Sequence, residues 1–437
     1  MTKTHMQPVP THQKSARSIT TPVTPGAVTQ KGFQSRHRFG IRMGVILCLG
    51  FAHSMQGLTP AKITVSAGGL DRLQTVVSFA KPQGWIEPVV LKTPDGKDLP
   101  VQYDESGGAS FIIPQLKRTE SLSLRAARPQ AASRHPTVEA LVETGGVRLQ
   151  ENGQLVFRYQ TEAGPLPRPD IKPIFKRGGY LHPIRTPDGQ IITDDFPTNH
   201  VHHHGIWSAW THTEFEGRKP DFWNMGDGKG KVDFSSLVSR WSGDVHAGFV
   251  SKHIYTDMTP DKPLEVLDET WHVQLYAILD KKHPAWIADI SSTQLLRGQS
   301  TLKLPEYRYG GLGFRGNAHW NGKENFLVLT SNGETDREKA HATRANWCYM
   351  GGKFKDKQSG LAILCHPSNF RAPQPMRVHP TEPFFNYAPQ QGGDMEITPG
   401  KPYISKYRLV VFDGLPNKQE LDRLWNDYAT PPTVTLE

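Results

Sequence analysis

His200-Val-His-His-His204-Gly-Ile-Trp207 places four imidazoles within five residues, and no other stretch of the chain is as dense in groups that do chemistry near neutrality. Histidine has an unperturbed pKa of about 6.5, and its neutral ring also ligates metals, so the run suits proton transfer, metal binding or contact with an oxyanion. On an extended strand His202 and His204 would share one face while His203 points to the other, so at most two of the three would enter one pocket. A metal would then need further ligands, for which His182, His319 and His366 are the candidates. No spacing of the HExxH or CxxC kind supports such a site. Acid/base work or hydrogen bonding to substrate is therefore the first reading, set against histidines that only pack.

A second group is Glu306-Tyr-Arg308-Tyr309-Gly-Gly-Leu-Gly-Phe-Arg315-Gly-Asn317-Ala-His319-Trp320. Its glycines allow close backbone approach, and Tyr309, His319, Arg315 and Asn317 supply donors, but no strand-to-helix context makes it a phosphate loop. The bland alternative is a glycine-rich bulge whose arginines pair with surface acids. A third group, His366-Pro-Ser-Asn369-Phe-Arg371-Ala-Pro-Gln-Pro-Met-Arg377, follows the apolar run Leu361-Ala-Ile-Leu, where an arginine can offer a planar fork to carboxylate, sulfate or phosphate. Trp207, Trp210, Trp223 and Trp320 lie near these polar groups in sequence and could face sugars, although tryptophans of a β-sandwich are more often core.

The elements that must position these groups read as strands. Short β-branched runs such as Lys62-Ile-Thr-Val-Ser and Ser110-Phe-Ile-Ile, separated by turn chemistry at Pro94-Asp-Gly-Lys, describe a small antiparallel β module over residues 61–130. A proline-bearing connector leads to a larger β-sandwich domain over 137–437, with hairpin signals at Asn152-Gly and Asp188-Gly and a single convincing helix over Lys418 to Asp427. The expected class is all-β, with the histidines and arginines on long loops between strands.

The net charge of +9 over 437 residues is concentrated at the start of the chain. Residues 1–42 hold seven lysines and arginines and no acid, which leaves 44 basic against 42 acidic residues, or +2, elsewhere. A nucleic-acid partner loses its main support. The basic segment runs into Met43-Gly-Val-Ile-Leu-Cys-Leu-Gly-Phe-Ala52 and then small residues, the order of a secretory signal peptide, so residues 1–60 are read as a disordered basic tail plus signal. Removal of the signal would leave a periplasmic or secreted protein with no apolar run near the roughly 20 residues of a membrane span. It would also leave Cys348 and Cys365, expected as buried free thiols, or as a cross-strand disulfide if a turn centred between Asp356 and Lys357 sets them opposite each other.

Taken together, Tyr180-Leu-His-Pro-Ile-Arg-Thr-Pro-Asp-Gly, His202-His-His-Gly-Ile-Trp207, Tyr309-Gly-Gly-Leu-Gly-Phe-Arg315, Trp347-Cys-Tyr-Met-Gly351 and His366-Pro-Ser-Asn-Phe-Arg371 resemble a family of secreted bacterial proteins called PmoA family, or methane oxygenase PmoA-like. The resemblance runs from about Thr137 to Gly414. It implies a secreted β-rich protein of polysaccharide-degrading bacteria, with a supersandwich similar to galactose mutarotase-like proteins. Where that family has His-His-Arg-Gly, this chain has His202-His203-His204-Gly205. The family name conflicts with the chain, because membrane methane monooxygenase subunits are built from transmembrane helices.

The expected function is a carbohydrate-active enzyme that breaks a sugar C–O bond by acid/base catalysis, as a lyase or hydrolase, on an oligo- or polysaccharide that is anionic if the arginines bind it. His203, His204, Tyr309, His319 and Glu306 form the expected catalytic set. His182, Arg185, Trp207, Arg315, Asn317, His366, Asn369 and Arg371 form the substrate-binding set. No cofactor is required on this reading, and a divalent metal is the alternative. A retaining or inverting hydrolase needs two carboxylates and only Glu306 stands out, which favours elimination. The competing readings are a non-catalytic carbohydrate-binding protein and a metal-dependent oxidoreductase, whose facial triad has no spacing signature here.

Overall fold

The computed structural model describes residues 58, 61–105, 107–130, 136–277 and 284–437. The expected signal peptide and basic tail fall outside the described residues. Three large antiparallel sheets make up the architecture, so the chain is all-β.

The first sheet has seven strands in the order Arg72–Ala80, Gly108–Leu116, Asp98–Tyr103, Val89–Lys92, Ser121–Ala127, Lys62–Ser66 and Thr433–Leu436. Alternation sets Ile63 and Val65, and likewise Phe111 and Ile113, into one apolar cluster around Trp85. The last strand comes from the far end of the chain and pairs in register with the first, Ile63 opposite Leu436 and Ser66 opposite Thr433. The module expected over 61–130 thus borrows an edge strand from residues 433–436, a run too short to read as a strand by pattern alone.

Two eight-stranded sheets face each other to form the sandwich. One has the order Met376–Val378, Phe384–Tyr387, Gly311–Arg315, Ile206–Ala209, Tyr180–Ile184, Gln154–Gln160, Gly146–Glu151 and Val138–Glu143. The other is built on the long strands Gly230–Trp241, His246–Asp257, Leu264–Tyr276 and Ala285–Leu296, continued by Tyr403–Asp413, Lys357–Cys365, Trp347–Phe354 and Phe326–Thr330. Leu181, Ile206, Phe314 and Phe385 from the first sheet meet Phe249, Trp271, Val273 and Leu409 from the second in one core cluster. Asn152 (φ 47°) and Gly153 (φ 81°) close the hairpin between two strands of the first sheet with the paired left-handed conformations of a type I′ turn, which Asn-Gly tolerates best.

The helix spans Lys418–Ala429, capped by the Asn417 side chain accepting from the Glu420 amide. Leu421 and Leu424 pack on Trp347, Tyr349 and Leu364. On another side, Asp427 accepts from Arg72 and from Thr75, each at 2.9 Å, and ties the helix to the seven-stranded sheet.

Cys348 and Cys365 are both free and buried. They are not opposite each other: the hairpin turns one residue earlier than expected, so Cys348 faces Ile363 and Cys365 lies two residues farther along. Among the described residues, no helix is long and apolar enough to cross a membrane.

Candidate functional site

The first sandwich sheet turns Leu181, Ile206, Leu312, Phe314, Phe385 and Met376 into the core. By alternation its other face carries Trp207, Gly313, Asn386 and Arg377, which lie opposite one another as a row across four strands. Gly313 is required in this row. A Cβ there would stand 2.9 Å from Cη2 of Trp223 and 3.1 Å from Cη2 of Trp207, so only a bare backbone lets both indoles cross the strand.

The histidine run lies over this floor as a turn rather than a strand. The His203 amide donates to the His200 carbonyl at 2.8 Å, and the Phe196 amide donates to the His203 carbonyl at 3.1 Å. Alternation therefore does not apply, and the expected pairing of His202 with His204 on one face is corrected. His200, His202 and His203 gather together instead: the His200 and His203 rings stack 4.8 Å apart, His202 meets His203 edge-on at 4.6 Å, and His379 approaches His200 at 5.8 Å. With Tyr309, Arg308 and Arg377 they line a pocket of about 220 Å³, which Trp223, Phe384 and Asn224 complete.

Burial sets the charge state of these imidazoles. It pushes His202 down to about 3 and His379 down to about 4, and it holds His203 well below the usual histidine range, with neighbouring histidines and arginines adding to the effect. Each ring is neutral at pH 7 and offers a lone pair. The Nδ1 atom of His203 is buried without a hydrogen-bond partner. Tyr309 is pushed up to about 12 by burial, and its hydroxyl donates to Oδ1 of Asn224 at 3.2 Å, so it keeps its proton at neutral pH. Neither Arg308 nor Arg377 forms an ion pair with a described residue.

Arg315 lies close to the histidines, fully buried, donating from Nη2 to Glu382 at 3.0 Å, Asn321 at 2.9 Å and Asn199 at 3.3 Å. Burial alone would raise the Glu382 carboxyl, but hydrogen bonding by Asn199 and the charge of Arg315 outweigh it and keep the group low. This carboxylate neighbours His200 and His379 and has no counterpart in the sequence reading.

His204 occupies a different place. Its Nδ1 lies 2.6 Å from Oδ1 of Asp195, its ring stacks 4.3 Å from Tyr180, and the Tyr180 hydroxyl donates to Oδ2 of Asp195 at 2.9 Å. Asp195 and Tyr180 line a second cavity, of about 320 Å³, together with His182, whose Nδ1 contacts Oγ1 of Thr193 at 2.9 Å. Of the expected catalytic residues, the structure thus brings together only His203 and Tyr309.

The remaining expected residues are placed elsewhere. His319 is exposed on a 3-10 turn whose cap is Asn317; Asn317 also donates to the Ile191 carbonyl. Glu306 is exposed, with its amide held by Asp394. Arg185 donates to the Gly189 carbonyl. Trp207 is fully buried beneath the pocket. His366 packs on Tyr428 of the C-terminal helix at 4.9 Å, Asn369 is bonded to the Lys406 backbone, and Arg371 donates to the carbonyls of Pro389, Gly393 and Asp394. These three stabilise loops, because every bond named goes to main chain or to a packing ring.

His200, Arg308 and Arg377 belong to the runs that the sequence singles out but not to the expected catalytic or substrate-binding sets, and His379 and Glu382 lie outside those runs. One signal for them was legible: Arg377-Val-His379 follows the strand period, which puts both side chains on one face. Among the described residues, no group of three or more His, Cys, Asp or Glu side chains is arranged to hold a metal ion. The near-parallel His200 and His203 rings, 10° apart, show why proximity is not enough, since their in-plane lone pairs run alongside each other rather than converging.

Residues 146–426 match the model of a family of unknown function, DUF6807, and the chain belongs to that family. The matched segment contains every residue of the histidine pocket. No curated protein matches the chain.

Proposed function

We propose that the protein is a secreted or periplasmic carbohydrate-active enzyme that cleaves an anionic oligo- or polysaccharide by β-elimination at a uronate residue. The observation that carries this reading is one pocket in which two arginines without ion-pair partners, Arg308 and Arg377, stand with neutral histidines and a protonated tyrosine. Elimination needs those three functions. A cationic contact on the uronate carboxylate lowers the cost of the carbanion that forms beside it. A neutral imidazole, assigned to His203, removes the C5 proton; burial makes it a weaker base than an ordinary histidine, so the step depends on the arginine contact that acidifies C5–H. The released electron pair forms the C4=C5 double bond as the C4–O4 bond breaks, and Tyr309 gives its proton to the departing O4.

Hydrolysis is less well served, because its usual machinery is a pair of carboxylates flanking the bond, and the carboxylate near this pocket, Glu382, is engaged by Arg315. The two large facing sheets are in keeping with the expected β-sandwich architecture, although a fold by itself carries no activity. The second reading is a non-catalytic sugar-binding protein, in which the same arginines and histidines hold the glycan and no proton is transferred.

A screen of polyuronates read by the ultraviolet absorbance of the conjugated product distinguishes the readings. Elimination raises absorbance together with new chain ends. New ends without absorbance would indicate hydrolysis, and binding without either would indicate the sugar-binding protein. Secretion is checked separately by N-terminal sequencing of protein from the producing cell, where a start after about Gly57 is expected and an intact Met1 would overturn it.

A further inference from the structure

A third cavity, of about 190 Å³, lies beside the histidine pocket, and Asn224 belongs to the walls of both. The orientation of that amide is fixed from the third cavity. Its Nδ2 donates to Oδ2 of Asp221 at 2.6 Å and to Oγ1 of Thr211 at 3.2 Å. A carboxylate only accepts, so the nitrogen must face Asp221, and the Asn224 carbonyl oxygen is turned the other way, where it accepts from the Tyr309 hydroxyl at 3.2 Å. The hydroxyl assigned as proton donor in the elimination therefore stands on the partition between two cavities.

The rings beyond the partition continue the line. Tyr307 lines the third cavity, meets Tyr309 edge-on with ring centroids 5.0 Å apart, and stacks on His212 at 4.8 Å and 13°. His212 is exposed and holds φ 52°, a left-handed conformation that is uncommon outside glycine and is kept only where the surroundings enforce it. Lys219 and Lys229, both exposed, add donors to the wall. Their ion pairs, to Glu214 at 3.5 Å and to Asp227 at 3.8 Å, are long and open to solvent, so a ligand displaces them at little loss. Asp221 accepts from the Trp223 and Asn224 amides and from the Asn224 side chain, which leaves one of its roughly four acceptor positions. Donors and an acceptor beside aromatic rings are the groups that hold a pyranose.

Neither volume alone reaches the roughly 300–1,000 Å³ of small-molecule sites, whereas the two joined across the Asn224–Tyr309 contact do. We propose that they are successive subsites of one cleft: the histidine pocket takes the uronate that loses its C5 proton, and the third cavity takes the sugar residue that departs with O4. The assignment rests on the elimination reading and extends it to a substrate of at least two sugar residues. Breaking C4–O4 leaves O4 on C1 of the departing residue, which places that residue across the partition from the uronate. Lys219, Lys229 and Asp221 meet its hydroxyls, and Tyr307 and His212 flank its ring.

Isothermal titration of the full-length His203→Asn protein, in which cleavage is slowed, with D-galacturonate and with its α-1,4-linked disaccharide tests the pairing. The disaccharide should bind at least about tenfold tighter than the monosaccharide, and H212N, K219M and K229M, each added to that protein, should reduce this ratio while monosaccharide affinity stays within about twofold. All three side chains are exposed, and asparagine tolerates the left-handed backbone at position 212, so the variants keep the fold. Equal affinity for the two sugars would overturn the second subsite even if the native protein turned over a polyuronate, and so would a ratio unchanged in all three variants. A ratio that falls as expected, with no ultraviolet absorbance from any polyuronate treated with the native protein, would sink elimination and leave the paired subsites standing. Binding of neither sugar would overturn both.

Discussion

His204 holds Asp195 through Nδ1 at 2.6 Å, while its chain neighbour His203 stacks 4.7 Å from Phe384 in the other pocket. Two adjacent imidazoles thus serve different chambers, and their replacement should have different consequences. His203→Asn should lower turnover on a polyuronate by about 10²-fold or more, with little change in thermal stability. His204→Asn leaves the Asp195 carboxylate short of a partner and should cost about 1–3 kcal/mol of stability in urea unfolding, with a smaller effect on turnover. Equal turnover losses in two equally stable variants would contradict this division.

The buried histidines also set a pH dependence. The folded-state values of His202, about 3, and His379, about 4, lie below the ordinary 6.5, so between those limits the unfolded chain binds protons that the folded chain refuses. Stability is then fully present above about 6.5 and declines as the pH falls, by up to about 1.4 kcal/mol per pH unit for His202 and by less for the more exposed His379. Urea midpoints measured across this range should show the decline, and His202→Gln should flatten it.

Arg308 and Arg377 line the histidine pocket and form no ion pair with a described residue, so their charges can be used on an anionic substrate. Arg308→Gln and Arg377→Gln should each raise KM on a polyuronate about tenfold and reduce its sensitivity to added salt, because exposed charge contacts are screened within about 10 Å at moderate ionic strength. A neutral glycan bound equally well by the native protein and both variants would remove the arginines from substrate recognition.

Gly313→Ala should distort the pocket from below. The added methyl meets Trp223 at 2.9 Å and Trp207 at 3.1 Å, and such overpacking costs about 1–3 kcal/mol. The expected result is a lower unfolding midpoint together with lost activity, whereas Gly333→Ala, in open space though at positive φ, should affect stability alone.

The near-neutral charge of the chain beyond residue 42 predicts weak DNA binding without the steep salt dependence that many phosphate contacts give. A fragment beginning at Thr59 that bound DNA tightly, with affinity collapsing as salt rose, would overturn that expectation.

Period and turn chemistry made most of the architecture legible in the sequence alone. Alternating β-branched runs, Asn152-Gly153 at a hairpin and the capped helix after Asn417 each depend on residues close together in the chain, where local sterics decide the outcome. The histidine run also announced itself as a place for chemistry. Which of its rings meet was a different matter, because a hydrogen-bonded turn from His200 to His203 replaced the strand that alternation assumes. His203 and Tyr309 came together while His319, His366 and Arg371 did not, since strand order brings Gly311–Arg315 beside Ile206–Ala209 and sends the later loops to the C-terminal helix and to main-chain carbonyls. The desolvation that keeps His202 and His379 uncharged exists only once distant segments pack over one sheet. Residue types named the available chemistry, and long-range strand pairing decided which groups share a cavity, because side-chain neighbours across a sheet are set by register between segments far apart in the chain.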